Sequence, residues 1–363
     1  MKILHIHPSM AGGGIEAMIC GLVNEMVKFH DVTVCTIYEP TPDHVFEKKL
    51  SPLVHRISLG KVEEGFSINE IFKIFKVINH GGFDVVHIHG FFYYYALSVL
   101  LLHKKVKFVY TIHSDAAKEN SVWDRRLIAL KKFSFRHGLI HPVTISKESK
   151  RSFTAFYGLD STLIYNGIPE YVTNDKTDKL REFRLTNKTK LFLHPGRIST
   201  PKNQVVLVKA FERLVKNGLD VVLLIAGSKQ DLQIWSELEP YLNERIIYLG
   251  ERSDVRDLLA ESDAFCLPSI WEGMPVTLLE ALAAGCIPIC SPVGGIPEVI
   301  TNGVNGFLST DSSEEEYYKA LKSFVSCTDI EIKDMKQKCL EVFNKFRISE
   351  VAKKYIEVYK SKV

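Results

Sequence analysis

Two series of short apolar runs, each alternating with stretches of helical periodicity, constrain this chain more than any other feature. The first series is KILHIH (2–7), VTVCTIY (32–38), DVVHIH (84–89), KFVYTIH (107–113) and PVTIS (142–146). The second is KLFLHPG (190–196), DVVLLIAG (220–227), RIIYLG (245–250), AFCLP (264–268) and IPIC (287–290). Runs of this length without polar alternation suit strands buried on both faces, and intervening helices make parallel β-α-β units. Between the series, NGIPEYVTNDKTDKLREFRLTNKT (166–189) is polar and lacks an apolar period. The 363-residue chain is therefore expected to be α/β, with two doubly wound domains over 1–170 and 190–345 and a linker over 171–189. The closing segment ISEVAKKYIEVYKSKV reads as an amphipathic helix capped by Ser349, within a 346–363 tail expected to pack back on the first domain.

Bulk charge names no partner, because the net value is only +3. Its distribution is uneven. Residues 103–151 hold 12 Lys+Arg against 4 Asp+Glu, an excess of +8, so the remainder sums to −5. The seven cysteines are scattered without a C-x-x-C pair, which suits reduced thiols in a cytoplasmic protein. The opening MKILHIHPSMAGGG has no signal-type apolar stretch, and FFYYYALSVLLL (91–102) is too short to span a bilayer.

In doubly wound sheets, ligands bind beyond the carboxyl ends of the strands, here in a cleft expected between the two domains. Four strand-end loops carry candidate chemistry. In MAGGGIE (10–16), Gly13 and Gly14 allow close backbone approach to an anion at a helix start. In HPGRISTPKNQ (194–204), Arg197 and Lys202 stand beside a helix expected to begin at Pro201, a pairing suited to a diphosphate. In WEGMPVTLLEALAAG (271–285), a helix expected to have Pro275 in its first turn would aim N–H groups of Gly273, Met274 and Val276 at an anion. Thr277 adds a hydroxyl there. Glu272 and Glu280 suit sugar and ribose diols. In TIHS (111–114), His113 ends a strand. The pair His87 and His89 lies on one strand face without acidic or thiol partners, so no metal is expected.

The stretch EGMPVTLLEALAAGCIPICSPVGGIPEVITNGVNGFL closely resembles the signature of retaining glycosyltransferases of family four, which have the GT-B fold. The E-x7-E element, the G-R-…-K element, the glycine loop, the strand-end histidine and IYNGI (164–168) follow in family order, so the resemblance covers essentially the whole chain. It implies two Rossmann-like domains and a retaining, metal-independent hexosyl transfer from a nucleotide-diphosphate sugar, with a UDP- or GDP-sugar expected. By resemblance, Arg197 and Lys202 grip the diphosphate and Glu272 binds the sugar with the backbone of Gly273, Met274 and Val276. Glu280 binds the ribose, and His113 meets the sugar near the reacting carbon. Gly13 and Gly14 approach the phosphates and acceptor, and base contacts are expected around Gly250 and Arg252. The first domain receives the acceptor, a sugar or lipid-linked hydroxyl in bacterial surface polysaccharide or glycolipid synthesis. The basic segment DRRLIALKKFSFRHG, with Arg125, Arg126, Lys131, Lys132 and Arg136, is a candidate contact for an anionic membrane surface at the inner face. No nucleic acid is expected. Rival readings are a nucleotide-sugar 2-epimerase and a non-catalytic nucleotide-binding GT-B protein. The absence of a dinucleotide fingerprint argues against a dehydrogenase.

Overall fold

The computed structural model describes residues 1–42, 44–63, 65–170 and 178–361. It forms two compact units, one of Met1–Pro169 with Phe346–Val363 and the other of Glu170–Lys345. The strands of unit 1 are β1 (Lys2–His7), β2 (Asp31–Tyr38), β3 (His55–Lys61), β4 (Val85–Ile88), β5 (Lys107–Ile112), β6 (His141–Thr144) and β7 (Thr162–Leu163). They make a parallel sheet in the order β3-β2-β1-β4-β5-β6-β7. Unit 2 holds β8 (Lys190–Pro195), β9 (Val221–Ala226), β10 (Ile246–Gly250), β11 (Ala264–Leu267), β12 (Ile287–Cys290) and β13 (Phe307–Leu308), ordered β10-β9-β8-β11-β12-β13 and again parallel. Central strands such as β9, VVLLIA, are buried at every residue, as expected where helices cover both sheet faces.

In each sheet the strand order reverses once, between β1 and β4 in unit 1 and between β8 and β11 in unit 2. At such a reversal the connecting helices leave to opposite faces, opening a crevice beyond the strand ends. Gly13 and Gly14 follow β1, and Lys202 and Glu272 follow β8 and β11, at these reversals, whereas His113 follows β5 and Gly250 and Arg252 lie at the end of the edge strand β10.

The helix Ile348–Lys360 belongs to unit 1 and buries Ile348, Val351, Ala352, Tyr355, Val358 and Tyr359, while Ile356 is half-buried. Its start follows Arg347 without a side-chain cap, so Ser349 lies inside the first turn rather than capping it. Entry is set by backbone instead. The Ile168 N–H donates to the Phe346 carbonyl and the Ile348 N–H donates to that of Ile168. A side chain at Gly167 would come within 2.6 Å of Val351. Of the expected linker, residues 171–177 lie outside the described residues. The remainder is fixed to unit 2: Lys179 pairs with Asp254 and Asp257 at 3.0 and 2.6 Å, and Arg184 with Asp263 at 2.9 Å.

Candidate functional sites at the two strand-order reversals

In unit 2, the loop after β8 meets the loop after β11. The Ile270 N–H donates to the Pro201 carbonyl at 2.9 Å, and the Asn203 amide donates to the carbonyls of Pro268 and Ser312. Asn203 can do this because it stands in the left-handed region at φ 56°. That residue also corrects the expected helix start. Thr200–Lys202 forms a single 3-10 turn, Asn203 breaks it, and the helix runs from Gln204 to Lys216. Gln204 is buried and donates both to the Arg197 carbonyl at 2.7 Å and to His194 Nε2 at 3.1 Å. His194 Nδ1 donates to the Cys266 carbonyl at 2.9 Å. Burial, and secondarily the charge of Lys202, lowers the His194 pKa to about 4, so it is a neutral strut beneath the loop.

This framework brings Lys202 and Glu272 together. Lys202 Nζ donates to Glu272 Oε1 at 2.6 Å, with 20% and 12% of the two side chains exposed. The Ser269 hydroxyl, fully buried as a residue, donates to the same oxygen at 2.6 Å. Arg197 is exposed, and its guanidinium forms no hydrogen bond among the described residues. The helix at the second loop spans Val276–Ala283, with Pro275 as its extended N-cap at φ −68°, ψ 122°, not its first helical residue. Its first bonds are donated by Leu278 and Leu279 to the Pro275 carbonyl, so the N–H groups of Val276 and Thr277 are the unpaired donors of the first turn. The carbonyl of Gly273 is taken by the Gly295 N–H at 2.6 Å, and Met274 is buried. Gly294, at φ 59°, packs so closely that a Cβ there would lie 2.2 Å from the Glu272 carbonyl oxygen. Glu280 accepts from Arg256 Nε at 2.9 Å, 14% exposed. Gly250 ends β10 at φ 74° and accepts from the Gly227 N–H. Arg252 forms a bidentate pair with Asp254, both contacts 2.8 Å. This pair and the neighbouring Lys179 hold the Asp254 carboxyl well below its usual range.

In unit 1, the reversal gathers histidines. His89 Nδ1 lies 3.0 Å from His113 Nε2, and His89 Nε2 lies 3.3 Å from His5 Nδ1. His7 Nδ1 donates to the His89 carbonyl, and His7 Nε2 lies 3.2 Å from Glu16. Burial pushes the Glu16 carboxyl up, but the hydrogen bond and charge of His7 outweigh it and the net shift is downward. Gly13 is the extended N-cap of helix Gly14–Met26, and a Cβ on it would lie 2.5 Å from Glu16 Oε2. Its missing side chain makes room for that carboxylate. The His113 backbone N–H donates to Glu119 at 2.9 Å, and burial pushes the Glu119 pKa up to about 7. His5 joins His87 and His89 so that ligand-capable nitrogens of all three lie within 4.8 Å of one another. However, His87 already spends Nδ1 on the Tyr359 hydroxyl at 2.6 Å and Nε2 on Thr111 at 2.7 Å. A metal there would have to displace one of these.

The basic segment departs from its expected role at one residue. Lys131 is 2% exposed, donates to Asn120 at 3.0 Å and to the Tyr110 hydroxyl at 3.2 Å, and lies over the Tyr110 ring. It belongs to the core, while Arg125, Arg126 and Arg136 are exposed and Lys132 is half-buried. No helix among the described residues is long and apolar enough to cross a membrane.

Residues 175–339 match the family described as glycosyl transferases group 1, and residues 12–170 match glycosyltransferase family 4. This chain belongs to the family 4 type of GT-B glycosyltransferases. Among its relatives is the N-acetyl-alpha-D-glucosaminyl L-malate synthase of Bacillus anthracis, 27% identical over 79% of this chain and 77% of that protein. Another is the UDP-Gal:alpha-D-GlcNAc-diphosphoundecaprenol alpha-1,3-galactosyltransferase of Escherichia coli, 31% identical over 47% of this chain and 46% of that one. In structure it is similar to Anabaena Alr3699/HepE in complex with UDP, with a TM-score of 0.82 at 19% identity and all of both chains covered. That likeness shows the shared fold. In this glycosyltransferase Ser269, Arg256, Gly294 and Gly295 of unit 2, and His5, His7, Glu16 and Glu119 of unit 1, are not among the residues singled out by sequence alone. Glu16 and the Gly294–Gly295 pair did stand inside quoted motifs, where an acid beside glycines and a double glycine after a strand are the usable signals.

Proposed function

We propose that this glycosyltransferase is a retaining enzyme that takes hexose from a UDP- or GDP-sugar, and that Lys202, Glu272 and Ser269 form the centre of its donor site. The carrying observation is the 2.6 Å Lys202–Glu272 pair at the strand-order reversal of unit 2, beside an exposed arginine and a helix start with two unpaired N–H groups. An arriving diphosphate competes with Glu272 for the lysine. As Lys202 turns to phosphate, the Ser269 hydroxyl keeps the carboxylate in place, and Glu272 is freed to accept from sugar hydroxyls. Arg197, Lys202 and the N–H groups of Val276 and Thr277 then stabilise charge on the leaving diphosphate. Glu280, oriented by Arg256, accepts from the ribose diol.

When the sugar–phosphate bond breaks, its electron pair goes to the phosphate oxygen and positive charge develops on the sugar ring. The acceptor oxygen attacks from the leaving-group side and its proton passes to the departing phosphate, so the anomeric configuration is retained. The protein's own cations serve in place of a divalent metal. His113 is assigned to the transferred sugar near its reacting carbon, and Gly13 and Gly14 to phosphate and acceptor. Gly250 and Arg252 are assigned to the base, which requires Arg252 to share its hold on Asp254.

The names of relatives that use a UDP-sugar or a lipid diphosphate support a UDP-sugar donor and a lipid-linked acceptor in bacterial glycan synthesis. With such an acceptor, Arg125, Arg126, Lys132, Arg136 and the exposed Phe133 are proposed to touch an anionic membrane surface. Co-sedimentation with anionic vesicles tests this, and salt-insensitive absence of binding would refute it. The transfer itself is tested by nucleotide release from UDP-, GDP- and ADP-sugars with and without acceptor extract. Acceptor-stimulated release from one donor class is the expected result; an epimerase would consume the nucleotide sugar without any acceptor.

A further inference from the structure

The three imidazoles of His5, His89 and His113 have a hydrogen-bond arithmetic that closes in only two ways. A neutral imidazole carries one N–H and one lone pair. Burial keeps all three rings neutral, lowering His5 and His113 to about 3 and His89 well below its ordinary range. Three protons are thus shared among six nitrogens. Two contacts, His5 Nδ1 with His89 Nε2 at 3.3 Å and His89 Nδ1 with His113 Nε2 at 3.0 Å, use four of them. The two left over are His5 Nε2 and His113 Nδ1. Among the described residues these are also the buried histidine nitrogens without any partner.

For both contacts to be hydrogen bonds, the rings must share one tautomer. If His113 Nε2 accepts, all three carry their proton on Nδ1, and His113 offers an N–H at its free end. If it donates, all three carry it on Nε2, and His113 offers a lone pair. His87 lies outside this series, because Tyr359 and Thr111 occupy its two nitrogens. His7 bonds the backbone carbonyl of His89 and the Glu16 carboxylate, and neither ring nitrogen of His89. His5 is fully buried at its dead end, whereas His113 follows β5 at the strand end and keeps part of its surface exposed. A buried nitrogen left unpaired is costly, so an orphan at a partly open strand end is best explained by a partner that arrives with substrate.

We propose that His89, backed by His5, sets the tautomer of His113, and that Nδ1 of His113 is the atom offered to a hydroxyl of the transferred sugar. This rests on the assignment of His113 to the sugar. His89 is then a positioning residue that never touches substrate. The tautomer fixes the direction of that bond: with the proton on Nδ1, His113 donates to the sugar hydroxyl, and with the proton on Nε2 it accepts from it.

The decisive comparison uses two amides in the full-length chain. His89→Asn places an amide where Nδ1 was, facing His113, whereas His89→Gln places it where Nε2 was, facing His5. Both are polar and smaller than histidine, so a merely structural role predicts equal losses. The expected result is a kcat for His89→Asn within about threefold of the parent and a fall of roughly tenfold or more for His89→Gln, at matched melting temperatures. Equal kcat values would overturn the proposal. Nitrogen NMR of the histidine-labelled protein without ligand supplies the second arm. Coupling across the His89 Nδ1–His113 Nε2 bond, with both rings in one tautomer, supports the inference; opposite tautomers or no coupling overturn it. This arm needs no donor, so it survives a failure of the transfer reading and fails separately from it.

Discussion

The Lys202 ammonium and the Glu272 carboxylate hold each other in the free protein, and this pairing gives their variants opposite effects on nucleotide binding. Removing the lysine in Lys202→Ala deletes a charge-assisted contact to phosphate, so UDP affinity should fall roughly 10- to 100-fold by calorimetry. Glu272→Gln instead releases the lysine, so UDP affinity should hold or rise while transfer falls steeply. A parallel loss of UDP binding in both would contradict the competition between carboxylate and diphosphate. Glu280→Ala should weaken nucleotide binding by a similar order, since ribose loses its acceptor and Arg256 loses its partner. Arg197, Lys202 and Glu272 stand out in the sequence because they sit in strand-end loops, and Glu280 because it follows Glu272 at a fixed spacing in the helix Val276–Ala283. Their partners do not. Ser269 reaches Glu272 within one loop, but a serine there is as readily a turn residue, and Arg256 reaches Glu280 from another helix, 24 positions away. Lys131 shows the opposite limit: nothing in a run of cations marks the one whose ammonium turns inward to Tyr110 and Asn120.

Among elements, the central strands were legible because burial on both faces leaves an unbroken apolar run. Strand β3, HRISLGK, lies at a sheet edge with mostly exposed residues, and β7 and β13 have two residues each, so none writes such a run. The helices near Pro201 and Pro275 start three residues and one residue later than expected, at Gln204 and Val276. A proline fits a first turn, but here one sits in a 3-10 turn ended by the left-handed Asn203, and the other is an extended cap. The loops are tied by close backbone approach, and this predicts where a methyl group is not tolerated. Gly294→Ala would set a Cβ 2.2 Å from the Glu272 carbonyl oxygen at a positive φ. It should lower stability by about 1–3 kcal/mol in denaturant titration and reduce transfer, because the Glu272 loop must move. Gly12→Ala, with nothing within 4 Å, is the matched control and should leave stability within about 0.5 kcal/mol.

At the scale of the whole chain, the doubly wound order of both sheets followed from the β-α-β rhythm, while the histidine layer of unit 1 did not, because His5, His87 and His89 meet only when β1 and β4 pair. That layer makes unit 1 the acid-sensitive one. His5 and His113 titrate near 3 when folded against an ordinary 6.5, so between these values the unfolded chain binds protons that the folded one refuses. Their contribution is complete above about pH 6.5 and is lost as pH falls toward 3. Glu119 runs the other way, raised to about 7 from 4.5, and its contribution falls as pH rises through that window. The buried histidines outnumber it, and unit 2 has only His194 of this kind among the described residues. Limited proteolysis from pH 7.5 to 5 should therefore open unit 1 before unit 2; the reverse order would contradict the assignment. The proposed holding of a nucleotide sugar for transfer at the Lys202–Glu272 site of unit 2 can be measured on the reaction itself. Nucleotide release is measured from UDP-, GDP- and ADP-sugars, with acceptor extract, for the parent chain and Lys202→Ala. Acceptor-stimulated release from a UDP- or GDP-sugar is expected, and it should fall at least tenfold in the variant. Release from no donor, or release that Lys202→Ala leaves unchanged, would contradict it.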